Sequence, residues 1–247
     1  MDYHTIWILM AVYGTSLLSG MFGMAGGMVL MGVYTTLLPV AQAMVLHGFT
    51  QLAANVFRWF HHRGQTDWRG VGWFAAGSLL AAGVMVWISY IPDKATVLLV
   101  LGLSPFVSLL LPDWRVLTFS RPSGAFMCGL VVTGVQLLAG VAGPILDQFF
   151  VRSARSKEEQ IATKSMLNIM SHALKLTYFL RLQAEGGIEL SIVLMSAILI
   201  SAWLGTQSGS WVLTRLSDRH FRQATRALVL VMGGVYLVQS LHLLAGR

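Results

Sequence analysis

The chain has 247 residues, of which 55% are hydrophobic and only 11% are charged. With a mean hydropathy of +0.68, it has too little polar surface for a water-soluble domain of this length, which predicts an integral membrane protein. The net charge of +7 does not indicate nucleic-acid binding, because the basic residues fall in short loops between apolar segments, where membrane topology explains them.

Apolar segments follow one another along the whole chain. They cover about 4 to 38, 41 to 60, 70 to 91, 95 to 111, 123 to 150, 160 to 180, 188 to 212 and 226 to 244. Most have the length of ~20 residues that a helix needs to cross the hydrocarbon. The first and fifth are longer and carry glycines near their middle, so we expect each to be two half-helices or a re-entrant hairpin. The pattern predicts an all-α polytopic membrane protein with a single membrane domain over 1–247.

The chain also repeats itself without gaps, with counterparts 117 positions apart. Gly23-Met-Ala-Gly-Gly27 aligns with Gly140-Val-Ala-Gly-Pro144. The polar residues His47, Gln51, Asn55 and Arg58 align with Lys164, Asn168, His172 and Lys175. Two glycine-broken apolar segments at matching places in two halves indicate a transporter binding site. Repeat one covers about 4–111, and repeat two about 123–244.

The basic residues predict the topology, since cytoplasmic loops retain lysine and arginine. Most of them fall in four clusters: Arg58, Arg63 and Arg69; Arg115 and Arg121; Arg152, Arg155 and Lys157; Arg215, Arg219, Arg222 and Arg226. All four lie inside only if both glycine-broken segments return to the side on which they start. Both termini are then outside. Helix 41–60 runs inward and helix 160–180 outward, so the two halves are inverted copies.

The two polar stripes are candidate linings of a substrate path. Positions 47, 51, 55 and 58 share one helix face, as do positions 164, 168, 172 and 175. Polar side chains in hydrocarbon normally face a bundle interior or a wet cavity. Two alternatives stay open: Arg58, Lys164 and Lys175 are near enough to helix ends to reach the interface, and the others would also serve as hydrogen bonds between helices.

The glycine breaks favour an anion as the substrate. A half-helix that begins inside the membrane presents unpaired N–H groups, and glycine lets an anion approach that backbone closely. The alternative is close helix packing through small residues. The candidate binding residues are Gly23, Ala25, Gly26, Gly27, His47, Gln51, Asn55, Gly140, Ala142, Gly143, Lys164, Asn168, His172 and Lys175. Asp147 is either a proton-coupling carboxylate or the partner that neutralises Lys164 or Lys175.

These motifs resemble those of the TauE/SafE sulfite exporters. The resemblance is carried by the glycine-rich segment Gly20-Met-Phe-Gly-Met-Ala-Gly-Gly27, the basic loop Gly64-Gln-Thr-Asp67-Trp68-Arg69 and the helix start Ala162-Thr163-Lys164-Ser165. It implies export of sulfite, sulfonates or related organic anions across the cytoplasmic membrane. The chain departs from the family pattern at His47-Gly48, where a Thr-Ser type pair is usual, and at Pro144, which replaces a glycine.

We therefore expect a secondary transporter of the inner membrane that exports a small anion by alternating access. A channel-like anion or weak-acid pathway is the alternative, with a structural membrane subunit behind it. No enzyme is expected, because no nucleophile–base pair or metal motif is readable. The sequence lacks an ATP-binding phosphate loop, and the single cysteine, Cys128, excludes a cysteine metal cluster. We expect no cofactor, no metal and no partner beyond the anion and the lipid bilayer, with self-association into a homo-oligomer left open.

Overall fold

The computed structural model describes residues 3–22, 25–110, 118–151, 155–182, 191–213, 215 and 218–246. These residues form helices and no strand. The helices are α1 (Tyr3–Phe22), α2 (Ala25–Leu37), α3 (Val40–His62), α4 (Trp68–Ile88), α5 (Lys94–Leu110), α6 (Pro122–Ala139), α7 (Gly143–Gln148), α8 (Lys157–Leu182), α9 (Ile192–Leu213) and α10 (Asp218–Ala245). A single 3₁₀ turn, Arg63–Gln65, follows α3. The prediction of an all-helical chain is confirmed for the described residues.

The outer helices present apolar side chains to their surroundings. Trp87 is 87% exposed and Ile192 is 82% exposed, which suits a lipid environment and not water. Within the described residues, α4, α6, α9 and most of α10 are long and apolar enough to cross a membrane. The chain is therefore a polytopic membrane protein. Helix α10 begins at Asp218, earlier than the expected residue 226, because hydropathy marks only its apolar part, from Gln223 onward.

Both glycine-broken segments change direction. Helices α1 and α2 pack side by side, so closely that a Cβ atom on Gly26 would overlap the carbonyl oxygen of Thr15. Helix α6 ends at Ala139 and is followed by Gly140, whose φ of 79° is a conformation that glycine adopts without strain. The N–H of Phe119 donates to the carbonyl of Phe149 at 2.9 Å. The second segment therefore returns to the end of the bundle at which it starts.

Four helix pairs make the most extensive contacts: α1 with α9, α4 with α6, α3 with α8, and α5 with α10. Glycines allow the close approach of α4 and α6, since a Cβ on Gly77 would overlap the carbonyl of Phe126 and one on Gly129 that of Phe74. Helices α3 and α8 carry the polar stripes, and α2 and α9 pack against α3 while α4 and α6 pack against α8.

Interactions between loops group several basic residues at one end of the bundle. The indole of Trp59 donates to Thr66 at 2.9 Å, the N–H of Asp67 donates to Thr163 at 3.1 Å, and Arg155 forms an ion pair with Asp67. We call this the arginine-rich end, defined by Arg58, Arg63, Arg69, Arg121 and Arg155. The opposite end, where the hydroxyl of Tyr178 donates to the carbonyl of Tyr90 at 2.7 Å, holds Lys94 and is called the Lys94 end.

Candidate functional site

The two polar stripes face each other across the centre of the bundle. Helices α3 and α8 run antiparallel, so the stripe on α3 meets the stripe on α8 along their length. The rings of His47 and His172 have centroids 5.7 Å apart. The six central side chains of the stripes are all buried, with exposed fractions from 0% for His47 and Lys175 to 8% for Gln51. They are His47, Gln51, Asn55, Asn168, His172 and Lys175. The stripes therefore form an interior polar layer between two helices of different halves.

A small polar cavity lies where these stripes meet the two glycine breaks. It is lined by Ser19, Gly27, His47, Gln51, Asn55, Arg58, Gln136, Val141, Ala142, Gly143, Asn168 and His172. Its volume is about 20 Å³, against roughly 10–15 Å³ for holding one water molecule. In this conformation the cavity has room for about one water, so a larger ligand requires it to widen.

Three buried polar atoms in this lining have no hydrogen-bond partner within the described part of the chain. They are Asn55 Oδ1, Gln136 Nε2 and His172 Nδ1. An unsatisfied buried polar group costs about 1–3 kcal/mol, so three of them around one cavity offer hydrogen bonds that a ligand or water can use. The described lining contains no carboxylate, and Arg58 supplies a positive charge. The cavity is therefore suited to an anion.

A chain of hydrogen bonds closes the cavity toward the Lys94 end. Lys175 Nζ donates to His47 Nδ1 at 2.8 Å and to the carbonyl of Gly140 at 2.9 Å. His47 Nε2 lies 2.9 Å from the carbonyl of Gly27 and donates to it, which leaves Nδ1 as the acceptor from lysine. Lys175 and His47 thus join α8 to α3 and both to the two breaks. Lys175 does not reach the interface, one of the alternatives for this residue, because its neighbours bury it fully.

The counterpart residues at the arginine-rich end are arranged differently. Lys164 Nζ donates to Asp147 Oδ1 at 2.8 Å, and the Asp147 side chain is 49% exposed. Arg58 donates to the hydroxyl of Ser19 at 3.3 Å. Asp147 is the partner of Lys164 and does not line the cavity. The cavity thus has a half-buried arginine at one end and a fully buried lysine–histidine contact at the other.

The candidate residues divide into two groups. Eight line the cavity: Gly27, His47, Gln51, Asn55, Ala142, Gly143, Asn168 and His172. Lys164, Lys175, Ala25, Gly26 and Gly140 lie outside the lining: Gly26 packs on α1, and Gly140 forms the turn after α6 and accepts from Lys175. Gly23 lies outside the described residues.

Two polar lining residues were missed in the sequence analysis, together with the apolar Val141. Ser19 and Gln136 are polar residues near the ends of α1 and α6, and they are counterparts under the 117-residue repeat. Extending the search for paired polar positions upstream of the glycine breaks would have found both. Arg58, considered in its stripe but not selected, also lines the cavity.

A family model for the sulfite exporter TauE/SafE matches residues 8–236. The chain belongs to the TauE/SafE family. This confirms the resemblance noted from its motifs and places the chain among membrane transporters. No curated protein and no solved structure matches the chain.

Two of the TauE/SafE-like motifs contact each other in the structure. Asp67, in the basic loop after α3, caps α4 by accepting from the N–H of Gly70 at 3.1 Å. Its own N–H donates to Thr163, in the helix start of α8. These short motifs thus fix the loop of one half against the stripe-bearing helix of the other, beside Lys164.

Proposed function

We propose that this TauE/SafE protein is a secondary transporter that exports a small oxyanion, sulfite or an organosulfonate, across the cytoplasmic membrane. The observation that carries the proposal is the polar cavity between the two glycine breaks, with three unpartnered buried polar atoms and no carboxylate in its described lining. An inside-negative potential of 100 mV favours exit of each negative charge by about 2.3 kcal/mol. Export then needs no nucleotide.

The polar atoms of the cavity match the chemistry of a sulfite-type group. Gln136 Nε2 is a donor, and His172 Nδ1 donates in one of its tautomers. Asn55 Nδ2 already donates to the carbonyl of Gln51 at 2.8 Å, so Asn55 Oδ1 faces the cavity as an acceptor. An acceptor suits the hydroxyl of a protonated form, such as hydrogensulfite, or a water bound beside the anion. Arg58 supplies the compensating charge.

The pattern of helix contacts supports an inverted repeat. Exchanging the halves converts α1 into α6, α3 into α8, α4 into α9 and α5 into α10. The pair α1–α9 then becomes α6–α4, while α3–α8 and α5–α10 each become themselves, and these are the four extensive pairs. Such symmetry is the expected framework for a central site with alternating access. With the arginine-rich end in the cytoplasm, both termini lie outside.

The same symmetry suggests how access alternates. The contact between His47 and Lys175 closes the Lys94 end, and its counterpart under the repeat is the pair Lys164 and Arg58. We call the first pair the outer gate and the second the inner pair. The structure then corresponds to a conformation in which the outer gate is closed, with the inner pair apart and turned to Asp147 and Ser19.

The two positive charges of the inner pair suggest why closure of the inner end would depend on a bound anion. Two cations repel when brought together in a low-dielectric interior, so the inner end does not close readily around an empty cavity. A bound anion lowers this repulsion, since it places a negative charge near both side chains. Closure of the inner end would then depend on a loaded site, which prevents futile cycling.

The proposal is tested by flux measurements in proteoliposomes, with labelled sulfite, thiosulfate, sulfoacetate, acetate and phosphate. We expect saturable uptake of sulfite or sulfoacetate. Gln136→Leu is expected to raise the half-saturation concentration about tenfold, because a hydrogen bond to a charged group contributes about 1.5 kcal/mol or more. The matched control is Gln239→Leu, an exposed glutamine on α10. Identical kinetics for both variants would remove the cavity from the substrate path.

Counterflow separates the carrier from a channel-like pathway. Unlabelled sulfite trapped inside the vesicles should accelerate entry of labelled sulfite through a carrier, because the loaded site reorients faster than the empty one. A channel gives no such acceleration and no saturation. Absence of counterflow together with linear flux would favour the channel.

A further inference from the structure

A second cavity lies at the arginine-rich end, separate from the central one. It has a volume of about 190 Å³ and shares no lining residue with the central cavity. We call it the basic cleft, lined by Asp67, Arg69, Gly70, Trp73, Phe119, Ser120, Arg121, Pro122, Ala125 and Arg155. These residues come from the first two turns of α4, from the first turn of α6, and from the segments that precede α4, α6 and α8. The space is about tenfold that of the central cavity.

The charge of the basic cleft is positive and largely uncompensated. The single carboxylate of its described lining, Asp67, already pairs with Arg155 and accepts from the N–H of Gly70. Arg69 and Arg121 are exposed at the rim, and no carboxylate in the described part of the chain forms an ion pair with either. Two arginines that converge on one cavity offer the forked donors that bind phosphate-type oxyanions.

The position of the cleft matches the level of lipid headgroups. Helices α4 and α6 are both candidate membrane spans, Trp68–Ile88 and Pro122–Ala139. The cleft lies at the first turn of both, where a span leaves the interface and enters the hydrocarbon. Trp73 lines the cleft and is 46% exposed, one turn beyond Trp68, which is 58% exposed. Tryptophans at such depth are typical of the membrane interface.

We propose that the basic cleft binds the phosphate group of an anionic phospholipid from the leaflet at the arginine-rich end. Arg69 and Arg121 contact the phosphate oxygens, and the exposed face of Trp73 packs along the glycerol backbone and upper acyl chain. The lipid assignment follows from the interfacial level of the cleft and its exposed tryptophan, which a free oxyanion does not require. Binding of a lipid at this site does not rest on the proposed transport function.

A bound headgroup would act on the transport helices through the loop that it contacts. Asp67 lines the cleft, and its N–H donates to Thr163 on α8, next to Lys164 of the inner pair. Occupancy of the cleft therefore fixes the loop between α3 and α4 against the start of α8. The lipid is a structural partner of the arginine-rich end.

The test is native mass spectrometry of the delipidated full chain titrated with phosphatidylglycerol. We expect one tightly bound phosphatidylglycerol in the parent and at least tenfold weaker binding in the Arg69→Gln/Arg121→Gln variant. The matched control is Arg63→Gln, an arginine at the same end that lies over the ring of Phe60 at 4.1 Å and does not line the cleft. It should bind like the parent. Phosphatidylcholine should bind at least tenfold more weakly, and soluble glycerol 1-phosphate should not displace the lipid.

Three results would overturn the proposal. Equal phosphatidylglycerol binding by the double variant and the Arg63→Gln control would remove the arginines from the site. Equal binding of phosphatidylcholine would remove recognition of the net negative charge. Displacement by glycerol 1-phosphate at concentrations near that of the lipid would assign the cleft to a free oxyanion. If the double variant does not fold, the single variants Arg69→Gln and Arg121→Gln, both at exposed positions, replace it with the same criteria.

Discussion

Removal of the outer gate should open the Lys94 end of the cavity. Lys175 is 0% exposed and makes two hydrogen bonds, to His47 and to the carbonyl of Gly140. Hydrogen bonds to charged groups contribute about 1.5–3 kcal/mol, and ~1.4 kcal/mol corresponds to a tenfold change in an equilibrium. If the gate contact is broken in the outward-open conformation, Lys175→Met should raise the population of that conformation by roughly 10- to 150-fold.

The assay is labelling of a cysteine in the cavity by a membrane-impermeant maleimide. Gln51 lines the cavity, so the reporter cysteine is placed there by Gln51→Cys, and Cys128→Ala removes the buried native thiol. In a separate Cys128→Ala variant, a single exposed cysteine in place of Asp93 identifies the membrane side that faces the Lys94 end. The initial labelling rate of position 51 from that side should rise with the open population, by at least tenfold in Lys175→Met.

The matched control is Arg181→Met, which removes an exposed cation from the same helix toward the same end. Its labelling rate should equal that of the parent. A rate in Lys175→Met within twofold of the parent, in protein that remains folded, would show that the contact with His47 does not control access. A rise of equal size in Arg181→Met would refute the specific role of the buried contact.

Three further predictions concern topology, the first glycine break and the peripheral ion pair. Single cysteines at Gln65 and Glu185, the latter outside the described residues, should label from opposite faces, with position 65 cytoplasmic; labelling from one face would contradict the inverted repeat. Gly27→Val should stop sulfite flux in folded protein, since its side chain enters the cavity, whereas Gly26→Val should lower thermal stability by overlap with α1; the reverse result would exchange their roles. Asp147→Asn should change the free energy of unfolding by less than about 1 kcal/mol, because a half-exposed ion pair contributes little; selective loss of flux driven by a pH gradient would restore its proposed coupling role.

Much of this arrangement was predictable because both halves of the chain carry the same pattern of glycines and polar residues. The 117-residue repeat paired the glycine breaks and the polar stripes, and helical periodicity placed His47, Gln51 and Asn55 on one face. The antiparallel contact of α3 and α8 then brings these residues to Asn168 and His172. The paired polar positions in the sequence therefore predicted most of the polar residues that line the cavity.

What the repeat did not give was the difference between its two copies. Counterparts in sequence are not equivalent in one conformation: Lys175 is fully buried, while Arg58 faces the cavity and is half-buried. Periodicity also does not show which glycine of a break faces a neighbouring helix, so Gly26 and Gly27 were grouped together although only Gly27 lines the cavity. These distinctions depend on the packing of α1 and α2, which hydropathy does not encode.

The polar stripes also affect the insertion of the chain into the membrane during synthesis. Helices α3 and α8 are long enough to span, yet neither is among the described helices apolar enough to do so by composition. Polar side chains near the middle of a helix, such as His47, Gln51 and Asn55 in α3, oppose its insertion. Helix α3 finds its partner only after α8 has been made, more than ninety residues later. Nascent chains that end before Lys157 should therefore keep α3 bound to the insertion machinery and be degraded rapidly, and release should follow the synthesis of α8.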